Sequence, residues 1–391
     1  MNKGTKRLLV VSTSMTPPSV FMRGSKTVYE LQKQLVKLGY EVHILTHISD
    51  RQDKNYKKWI NEQRKKYDIF YHVFEFSWLK KYVFIYQVVC SFYYIYEVFR
   101  LNKIYGFDIV HEYTSAPVLF WRAWFYKKFG VERVFSTLQT KNESLYASYL
   151  LSGGIKYLDG VICLSNGDVD RLGKMHPKYA GKVYWIGLGF VKPDMREEWV
   201  FKKPKGKVVV TYVGHLEKGK GVDDLIAALT GMGESERQKI YALFVVYGKE
   251  GGRAEPIDII TQALIGVVSY KIMSGMQPIG NVMKKSDVFV LPYRTLHGTL
   301  IYPATLIEAM WSGIAVVTSS VGGINEVVQN KVNGLLVEPG DISGMRRAIV
   351  GLIGNAHMRR KLGAAAREAI VGNPCFDQRN IASKLSELYL N

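Results

Sequence analysis

The stretch KVVVTYVGHLEKGKGVDDLIAAL (207–229) decides the fold, because it joins a Val-rich strand, a short polar loop and a helix. The strand is predicted to end at Gly214. The loop after it carries His215, Lys218 and Lys220. Free amides at a helix N-terminus, next to two lysines, attract a phosphate or diphosphate. A generic strand-to-helix turn with solvated lysines is the alternative interpretation.

The same alternation of β-rich runs and helical patterns extends along the whole chain, which predicts parallel sheets covered by helices. One helix is predicted over 26–39, where apolar residues fall on one face and Gly39 suits the C-cap. The candidate strands are 7–13, 41–47, 68–74, 108–113, 133–138, 160–165, 182–187, 207–214, 241–248, 287–293, 314–320 and 333–339.

A polar, basic stretch with turn residues, VKPDMREEWVFKKPKGK (191–207), separates two series of strands and helices. We predict that it links an N-terminal domain (1–190) to a C-terminal domain (208–375), with a final segment at 376–391. Both domains are expected to be Rossmann-like and doubly wound. A ligand is then expected in the cleft between them, outside the carboxyl ends of the strands.

The composition is that of a globular protein, with 47% apolar and 22% charged residues among 391. The three cysteines are far apart, so they predict neither a disulfide framework nor a zinc site and fit a reducing, cytoplasmic compartment. The apolar run that follows the basic N-terminal residues is too short for a secretory signal and is predicted to be the first strand. The net charge of +19 indicates an anionic partner, although solubility alone could also explain it.

An aromatic segment interrupts the pattern, with 13 aromatic residues in 70–99. Only 15 uncharged residues separate Lys81 from Glu97, too few for a membrane-spanning helix of about 20 residues. Two interpretations stay open. The segment is a buried helix that covers one face of a sheet, or residues 56–105 make peripheral contact with an anionic membrane surface.

Several enzyme classes are excluded because the chain lacks their motifs. The chain has no GxGxxG after its first strand, no P-loop, no HExxH and no GxSxG. IGLGFV (186–191) has two spaced glycines but not the strand–turn–helix context of a dinucleotide site. No nucleic-acid recognition module is visible, so nucleic acid is not an expected partner.

A second strand-to-helix junction lies in TLHGTLIYPATLIEAMWSGIAVVTSSVGGINEVV (295–328). Pro303 suits the first turn of a helix that ends at Gly313. Glu308 lies inside this helix between apolar neighbours. A lone helical glutamate is usually solvated, but these flanks favour a held hydrogen-bond acceptor.

These two junctions resemble the donor site of the retaining family 4 glycosyltransferases, which have the GT-B fold. LIEAMWSGIAVVTSSVGGINEVVQNKVNGLLVEPGD (306–341) is similar to the donor-site signature of that family, and residues 210–229 are similar to its strand–loop–helix segment. DIVH (108–111), GVICLS (160–165) and SDVFVLPY (286–293) resemble family strands. The tail at 376–389 resembles the helix that crosses back to the N-terminal domain.

The resemblance implies a role for each matching residue. Glu308 would accept hydrogen bonds from the ribose of a nucleotide-sugar, and Lys220 would neutralise its diphosphate. The expected catalytic residues are Lys220, Glu308 and His215. Glu326 would have a structural or loop-ordering role. The full donor-binding set is Gly24, Ser25, Gly214, His215, Lys218, Lys220, Thr299, Tyr302, Thr305 and Glu308, and the loop-ordering set is Gly322, Gly323 and Glu326. Gly24 would lie in a turn before the first helix, where it and Ser25 offer backbone amides.

Three positions depart from the family pattern. Leu300 stands where the family has a glutamate that contacts the transferred sugar. His215 replaces an arginine, and Gln139 replaces a histidine near the reacting sugar. These changes keep a second hypothesis open, in which the chain is a catalytically weakened GT-B scaffold that serves as a nucleotide-sugar-binding or partner subunit.

The resemblance implies a retaining hexosyltransferase that moves a sugar from a nucleoside diphosphate sugar to a hydroxyl of a glycan or lipid-linked acceptor. The N-terminal domain would bind the acceptor, and the C-terminal domain would bind the donor. No cofactor and no metal are expected, since the nucleotide-sugar is a co-substrate. The expected location is cytoplasmic, with peripheral contact to the cytoplasmic membrane face as an option.

Overall fold

The computed structural model describes residues 5–12, 23–48, 56–75, 83–114, 120–138, 152–187, 189–193, 201–247, 255–275, 277–296 and 302–391. The chain divides into two compact units. Unit 1 is Met1–Val191 with Pro374–Asn391, and unit 2 is Lys192–Asn373. Most of the stretch predicted as a linker (191–207) therefore falls in unit 2. Phe201 in that stretch is buried, with its ring centroid 5.8 Å from that of Tyr241.

Unit 1 contains a parallel sheet with the strand order β3-β2-β1-β4-β5-β6-β7. Its strands are β1 (Arg7–Ser12), β2 (Glu41–Ile48), β3 (Ile69–Glu75), β4 (Ile109–Thr114), β5 (Arg133–Leu138), β6 (Gly160–Cys163) and β7 (Val183–Trp185). Its helices are α1 (Arg23–Lys37), α2 (Tyr56–Tyr67), α3 (Val83–Tyr105), α4 (Arg122–Lys128), α5 (Asn166–Met175) and, from the C-terminal segment, α14 (Gln378–Leu390).

The apolar strand β1 shows why this sheet is covered on both faces. Leu8 and Val10 belong to one core cluster, with residues of α1 and α14, whereas Leu9 and Val11 belong to another, with residues of α3 and α4. Successive side chains of a strand point to opposite faces. A parallel strand that is buried on both faces therefore reads as a continuous apolar run.

The C-terminal helix α14 is held in unit 1 by buried polar contacts as well as by packing. On β4, His111 hydrogen-bonds the Tyr389 hydroxyl through Nδ1, and its Nε2 lies 2.7 Å from Thr137 Oγ1 on β5. Burial lowers the pKa of His111 to about 3. The ring is therefore neutral at physiological pH and suits these two partners.

The two spaced glycines of IGLGFV lie against the start of this C-terminal segment. Gly187 and Gly189 have φ of +86° and +72°, and a side chain at either would contact Cys375 or Gln378. The Gly189 amide donates to the Cys375 carbonyl oxygen at 3.1 Å. These glycines therefore allow close packing of two chain segments.

Unit 2 contains a second parallel sheet, with the strand order β10-β9-β8-β11-β12-β13. Its strands are β8 (Val208–His215), β9 (Ile240–Tyr247), β10 (Tyr270–Ser274), β11 (Val288–Leu291), β12 (Ala315–Ser319) and β13 (Leu335–Val337). Its helices are α6 (Val222–Thr230), α7 (Glu234–Arg237), α8 (Glu255–Leu264), α9 (Ile279–Lys285), α10 (Ala304–Trp311), α11 (Ile324–Val327), α12 (Ile342–Gly354) and α13 (Ala356–Val371). This strand order is that of a Rossmann-like sheet.

The prediction of two doubly wound α/β units is confirmed, with strand ends shifted by at most two residues. Strand β10 was not predicted. It lies at the sheet edge, and its residues are only half-buried or exposed. An edge strand of this kind lacks the apolar run that marks the central strands.

Within the aromatic segment, residues 70–75 form nearly all of β3, and residues 83–99 form most of α3. One side of α3 packs on the sheet through Tyr94, Ile95, Val98 and Leu101, so the prediction of a helix that covers one sheet face is correct for that side. Among the described helices, none is both long and apolar enough to cross a bilayer.

Candidate active site

The loop after β8 brings a buried lysine to the carboxyl end of the central strand of unit 2. β8 ends at His215, a 3-10 turn covers Lys218–Lys220, and α6 begins at Val222. Gly221 between them has φ of +65°, and a side chain there would collide with the Pro292 carbonyl oxygen. The loop after β8 thus lies directly against the segment that follows β11.

Backbone hydrogen bonds fix these two segments together. The Gly219 carbonyl oxygen accepts from the amides of Arg294 and Thr295, at 2.9 and 3.2 Å. The Arg294 guanidinium then donates to both carboxylate oxygens of Asp224 in α6, with Nε–Oδ2 of 2.8 Å and Nη2–Oδ1 of 2.6 Å. Two parallel bonds of this kind fix orientation as well as distance.

Lys220 is held within this arrangement. The residue is only 5% exposed, and its Nζ lies 4.6 Å from the centroid of the buried Tyr293 ring. Burial lowers the pKa of Lys220, and the Glu217 carboxylate partly opposes that shift. An ammonium group that is partly removed from water interacts more strongly with an anion than a solvated one.

The other predicted residues around this loop differ in exposure. His215 and Lys218 are exposed, whereas Gly214 is buried. The Tyr212 hydroxyl donates to the His215 carbonyl oxygen at 2.6 Å. A side chain at Gly214 would lie 2.8 Å from that hydroxyl, so the glycine leaves room for this bond.

Glu308 is buried in helix α10, with 5% exposure, and Thr305 one turn earlier is buried too. Glu308 is therefore not solvated, unlike most glutamates in helices. A buried carboxylate must be satisfied by hydrogen bonds or by charge, so Glu308 is a strong acceptor in a largely apolar helix.

The segment that leads into α10 is anchored by a tyrosine. The buried Tyr302 donates its hydroxyl to Glu326 Oε2 at 2.8 Å. Glu326 lies in the short helix α11, directly after Gly322 and Gly323. The contact ties the chain just before α10 to the short helix α11 that follows β12.

The remaining predicted residues fall into two groups. His297, Thr299, Leu300 and Gln139 lie outside the described residues. Gly24 and Ser25 belong to unit 1, and the prediction of a turn at Gly24 is wrong, since α1 begins at Arg23 and both residues lie in its first turn. Their backbone amides are among those that lack a partner within a helix.

Sequence reasoning missed Asp224, Tyr293 and Arg294. An aspartate in the first turn of a helix is explained locally by the helix dipole, so it gave no sign of a partner 70 residues away. In the described part of the chain, no group of three or more His, Cys, Asp or Glu side chains could hold a metal ion.

Comparisons with known proteins find similarity to glycosyltransferases. Residues 195–369 match the family Glycosyl transferases group 1. The chain is 30% identical over 193 residues to 2-deoxystreptamine N-acetyl-D-glucosaminyltransferase of Streptomyces fradiae. This match covers 47% of this chain and 44% of that protein. It is 24% identical over 379 residues to the phosphatidylinositol N-acetylglucosaminyltransferase GPI3 subunit of Saccharomyces cerevisiae, which covers 93% of this chain and 78% of that protein.

Several relatives are matched over only 43% to 45% of their own length. The similarity in structure is more extensive. Anabaena Alr3699/HepE in complex with UDP superposes with a TM-score of 0.71 and 17% sequence identity, over 98% of this chain and 99% of that one. This likeness shows that the fold is GT-B. Residues 195–369 thus match a Glycosyl transferases group 1 domain, and the chain has the GT-B fold.

Proposed function

We propose that the chain is a retaining hexosyltransferase that moves a sugar from a nucleoside diphosphate sugar to a hydroxyl of a glycan or lipid-linked acceptor. The observation that carries the proposal is the buried Lys220, held at the carboxyl end of β8 by a loop locked to the segment after β11. Unit 2 would bind the donor, with Lys220 at the diphosphate and Glu308 at the ribose. Unit 1 would bind the acceptor.

In the proposed reaction, the bond between the anomeric carbon and the diphosphate oxygen breaks while a bond from the acceptor oxygen to that carbon forms on the same face. The acceptor proton passes to the leaving phosphate. The developing negative charge on that phosphate is what the Lys220 ammonium would stabilise, and such stabilisation is the main electrostatic task of the site. The nucleotide-sugar is consumed as a co-substrate, and the proposal includes no metal.

The names of similar proteins guide the choice of ligands. One related structure holds UDP, so UDP and its sugars are the first donors to test. A relative that covers most of this chain is a phosphatidylinositol N-acetylglucosaminyltransferase subunit, which supports a lipid-linked acceptor. A cytoplasmic location with peripheral contact to the membrane is part of the same proposal.

The test is thermal unfolding of the full chain against nucleoside diphosphates and nucleotide-sugars. A ligand that binds only the folded state raises the unfolding midpoint. We expect a shift with one nucleotide that is lost in Glu308→Ala and kept in Glu368→Ala, which changes an exposed glutamate of α13. Lys220→Met should then lower the rate of UDP release from the donor by about 100-fold or more.

The second hypothesis, a weakened scaffold, makes a different prediction in the same experiment. It expects a nucleotide-dependent shift without any release of nucleoside diphosphate from the sugar donor. The absence of a shift with every nucleotide at millimolar concentration would overturn the transferase proposal and favour the scaffold as a partner subunit, which does not require a bound donor.

A further inference from the structure

The outer side of α3 exposes a stripe of large apolar and aromatic side chains. Phe92 is 55% exposed and Tyr96 is 56% exposed, and Val88 lies one turn earlier on the same side. Residues four apart on a helix form one stripe. Because the opposite side of α3 is buried in unit 1, this helix is apolar on both sides, as is typical of a helix that a further surface covers.

The stripe continues to the two ends of α4, where the flanking residues Trp121 and Phe129 contact aromatic rings of α3. Phe92 lies 5.8 Å from Trp121, and Phe99 lies 5.0 Å from Phe129, measured between ring centroids. Trp124 of α4 is 39% exposed. We name the exposed set the α3–α4 surface; it comprises Val88, Phe92, Tyr93, Tyr96, Ile104 and Trp124.

Two lysines lie beside this surface. Lys103 Nζ lies 4.4 Å from the Phe99 ring centroid, and Lys128 Nζ lies 5.9 Å from that of Trp124. The acidic residue of α3 is Glu97, which is buried and ion-paired with Arg100 at 2.7 Å. The sequence of α4 contains no acidic residue.

We propose that the α3–α4 surface docks on the interface of an anionic lipid bilayer. Its tyrosines and tryptophan would lie at the level of the lipid headgroups, where such side chains are enriched, and Lys103 and Lys128 would face the lipid phosphates. The charge argues against a second copy of this chain as the occupant, since two such surfaces would bring like charges together.

The structure also separates this surface from the basic helix α2. Trp59 and Tyr67 of α2 pack against the core on the α1 side of the sheet, whereas α3 and α4 cover the other side. Residues 56–105 therefore do not form one continuous membrane contact. The four lysines of α2 serve as an internal control; they are Lys57, Lys58, Lys65 and Lys66.

The inference rests on the proposed function only for its purpose, which is to bring the enzyme to a lipid-linked acceptor. Docking itself is measured by co-sedimentation of the full chain with phosphatidylcholine vesicles that contain or lack phosphatidylglycerol. We expect binding to the anionic vesicles that weakens with added salt. Phe92→Ser with Tyr96→Ser, and separately Lys103→Glu with Lys128→Glu, should each weaken it by about tenfold or more.

Two matched controls locate the surface. Lys57→Glu with Lys58→Glu makes the same charge change on α2, and Ile259→Ser with Ile265→Ser removes exposed apolar side chains from unit 2. Both should leave binding within about twofold. In vesicles of brominated lipid, fluorescence quenching should fall in Trp124→Phe, which reports contact rather than binding alone.

The inference would be overturned by the absence of anionic vesicle binding at low salt, or by an equal loss in the α2 variant. It would also be overturned if the chain forms a dimer without lipid and the change at Phe92 and Tyr96 abolishes that dimer. The nucleotide-induced thermal shift is measured without vesicles. If vesicle binding is absent but the thermal shift is present, only the docking inference fails. If the thermal shift is absent but vesicle binding is present, only the proposed donor site fails.

Discussion

The Arg294 guanidinium and the Asp224 carboxylate form a doubly hydrogen-bonded ion pair that joins the segment after β11 to the first turn of α6. Asp224 is buried, and the same guanidinium lies 3.6 Å from the exposed Asp223. The side-chain hydrogen bond to Asp224 raises the pKa of Arg294. Both residues lie outside the loop that carries Lys220, and their ion pair fixes the two chain segments that adjoin it.

Removal of the Asp224 charge should destabilise unit 2 and weaken nucleotide binding. Asp224→Asn keeps the shape but loses the charge-assisted bonds, which are worth about 2 kcal/mol. Asp223→Asn is the matched control, and it should change the free energy of unfolding by about 0.5 kcal/mol or less, because exposed pairs contribute little. Urea unfolding followed by circular dichroism measures both variants. Equal losses of unfolding free energy in the two variants would show that the buried Asp224 contributes no more than the exposed Asp223.

A second prediction concerns the contact between Gly221 and Pro292. Gly221→Ala places a methyl group against the Pro292 carbonyl oxygen and strains a positive φ, whereas Gly266→Ala strains a similar φ of +72° with no atom within 4 Å of the new group. We expect a cost of about 1–2 kcal/mol at Gly266 and a larger one at Gly221. Only Gly221→Ala should also reduce the nucleotide-induced thermal shift. If the nucleotide-induced shift is unchanged in Gly221→Ala, the contact between Gly221 and Pro292 is not needed for donor binding.

The fold was predictable because the signals for it are local. Continuous apolar runs mark buried parallel strands, and Gly39, with φ of +92°, marks the end of α1. The loop from His215 to Lys220 was predictable for the same reason. The edge strand β10 was not, since its side chains are at most half-buried.

Contacts between distant parts of the chain were not predictable from one sequence. His111 and Tyr389 are 278 residues apart, and neither residue type indicates the other. The aromatic segment shows the same limit. Its composition is compatible with burial and with exposure, and only the packing of α3 on the sheet shows which side chains face outward.

A third prediction concerns the acid stability of unit 1. His72 Nε2 lies 2.9 Å from His43 Nδ1, and His43 Nε2 lies 2.9 Å from Glu41 Oε1. Burial, with smaller contributions from His43 and Arg100, lowers the pKa of His72 to about 4. The unfolded chain binds this proton near pH 6.5, so stability falls as the pH drops from about 6.5 to 4.

The variant His72→Gln tests this sign. It should reduce the loss of unfolding free energy over that pH range, by up to about 3 kcal/mol, because glutamine does not titrate. The control His357→Gln changes an exposed histidine of α13 and should leave the pH profile unchanged. Urea unfolding at half-unit steps of pH measures the profiles. An unchanged slope in His72→Gln would assign the acid sensitivity to other groups.

The last prediction concerns the ion pair of Glu112 on β4 and Arg122 on α4, which is buried in unit 1. Burial raises the pKa of Glu112 to about 7, and the Arg122 charge partly opposes that shift. Arg122→Met leaves a buried carboxylate without its cation and should cost about 3–5 kcal/mol. The pKa of Glu112 should rise further, so the cost should grow with pH.

The double variant Glu112→Gln with Arg122→Met removes both charges and should recover most of that loss, because the desolvation of each ion is then avoided. Thermal unfolding of Arg122→Met, of Glu112→Gln alone and of the double variant, at pH 6 and pH 8, completes the cycle. A double variant as unstable as the sum of its parts would mean that packing of the Arg122 side chain on Tyr94, at 5.5 Å from the ring centroid, matters more than the charge.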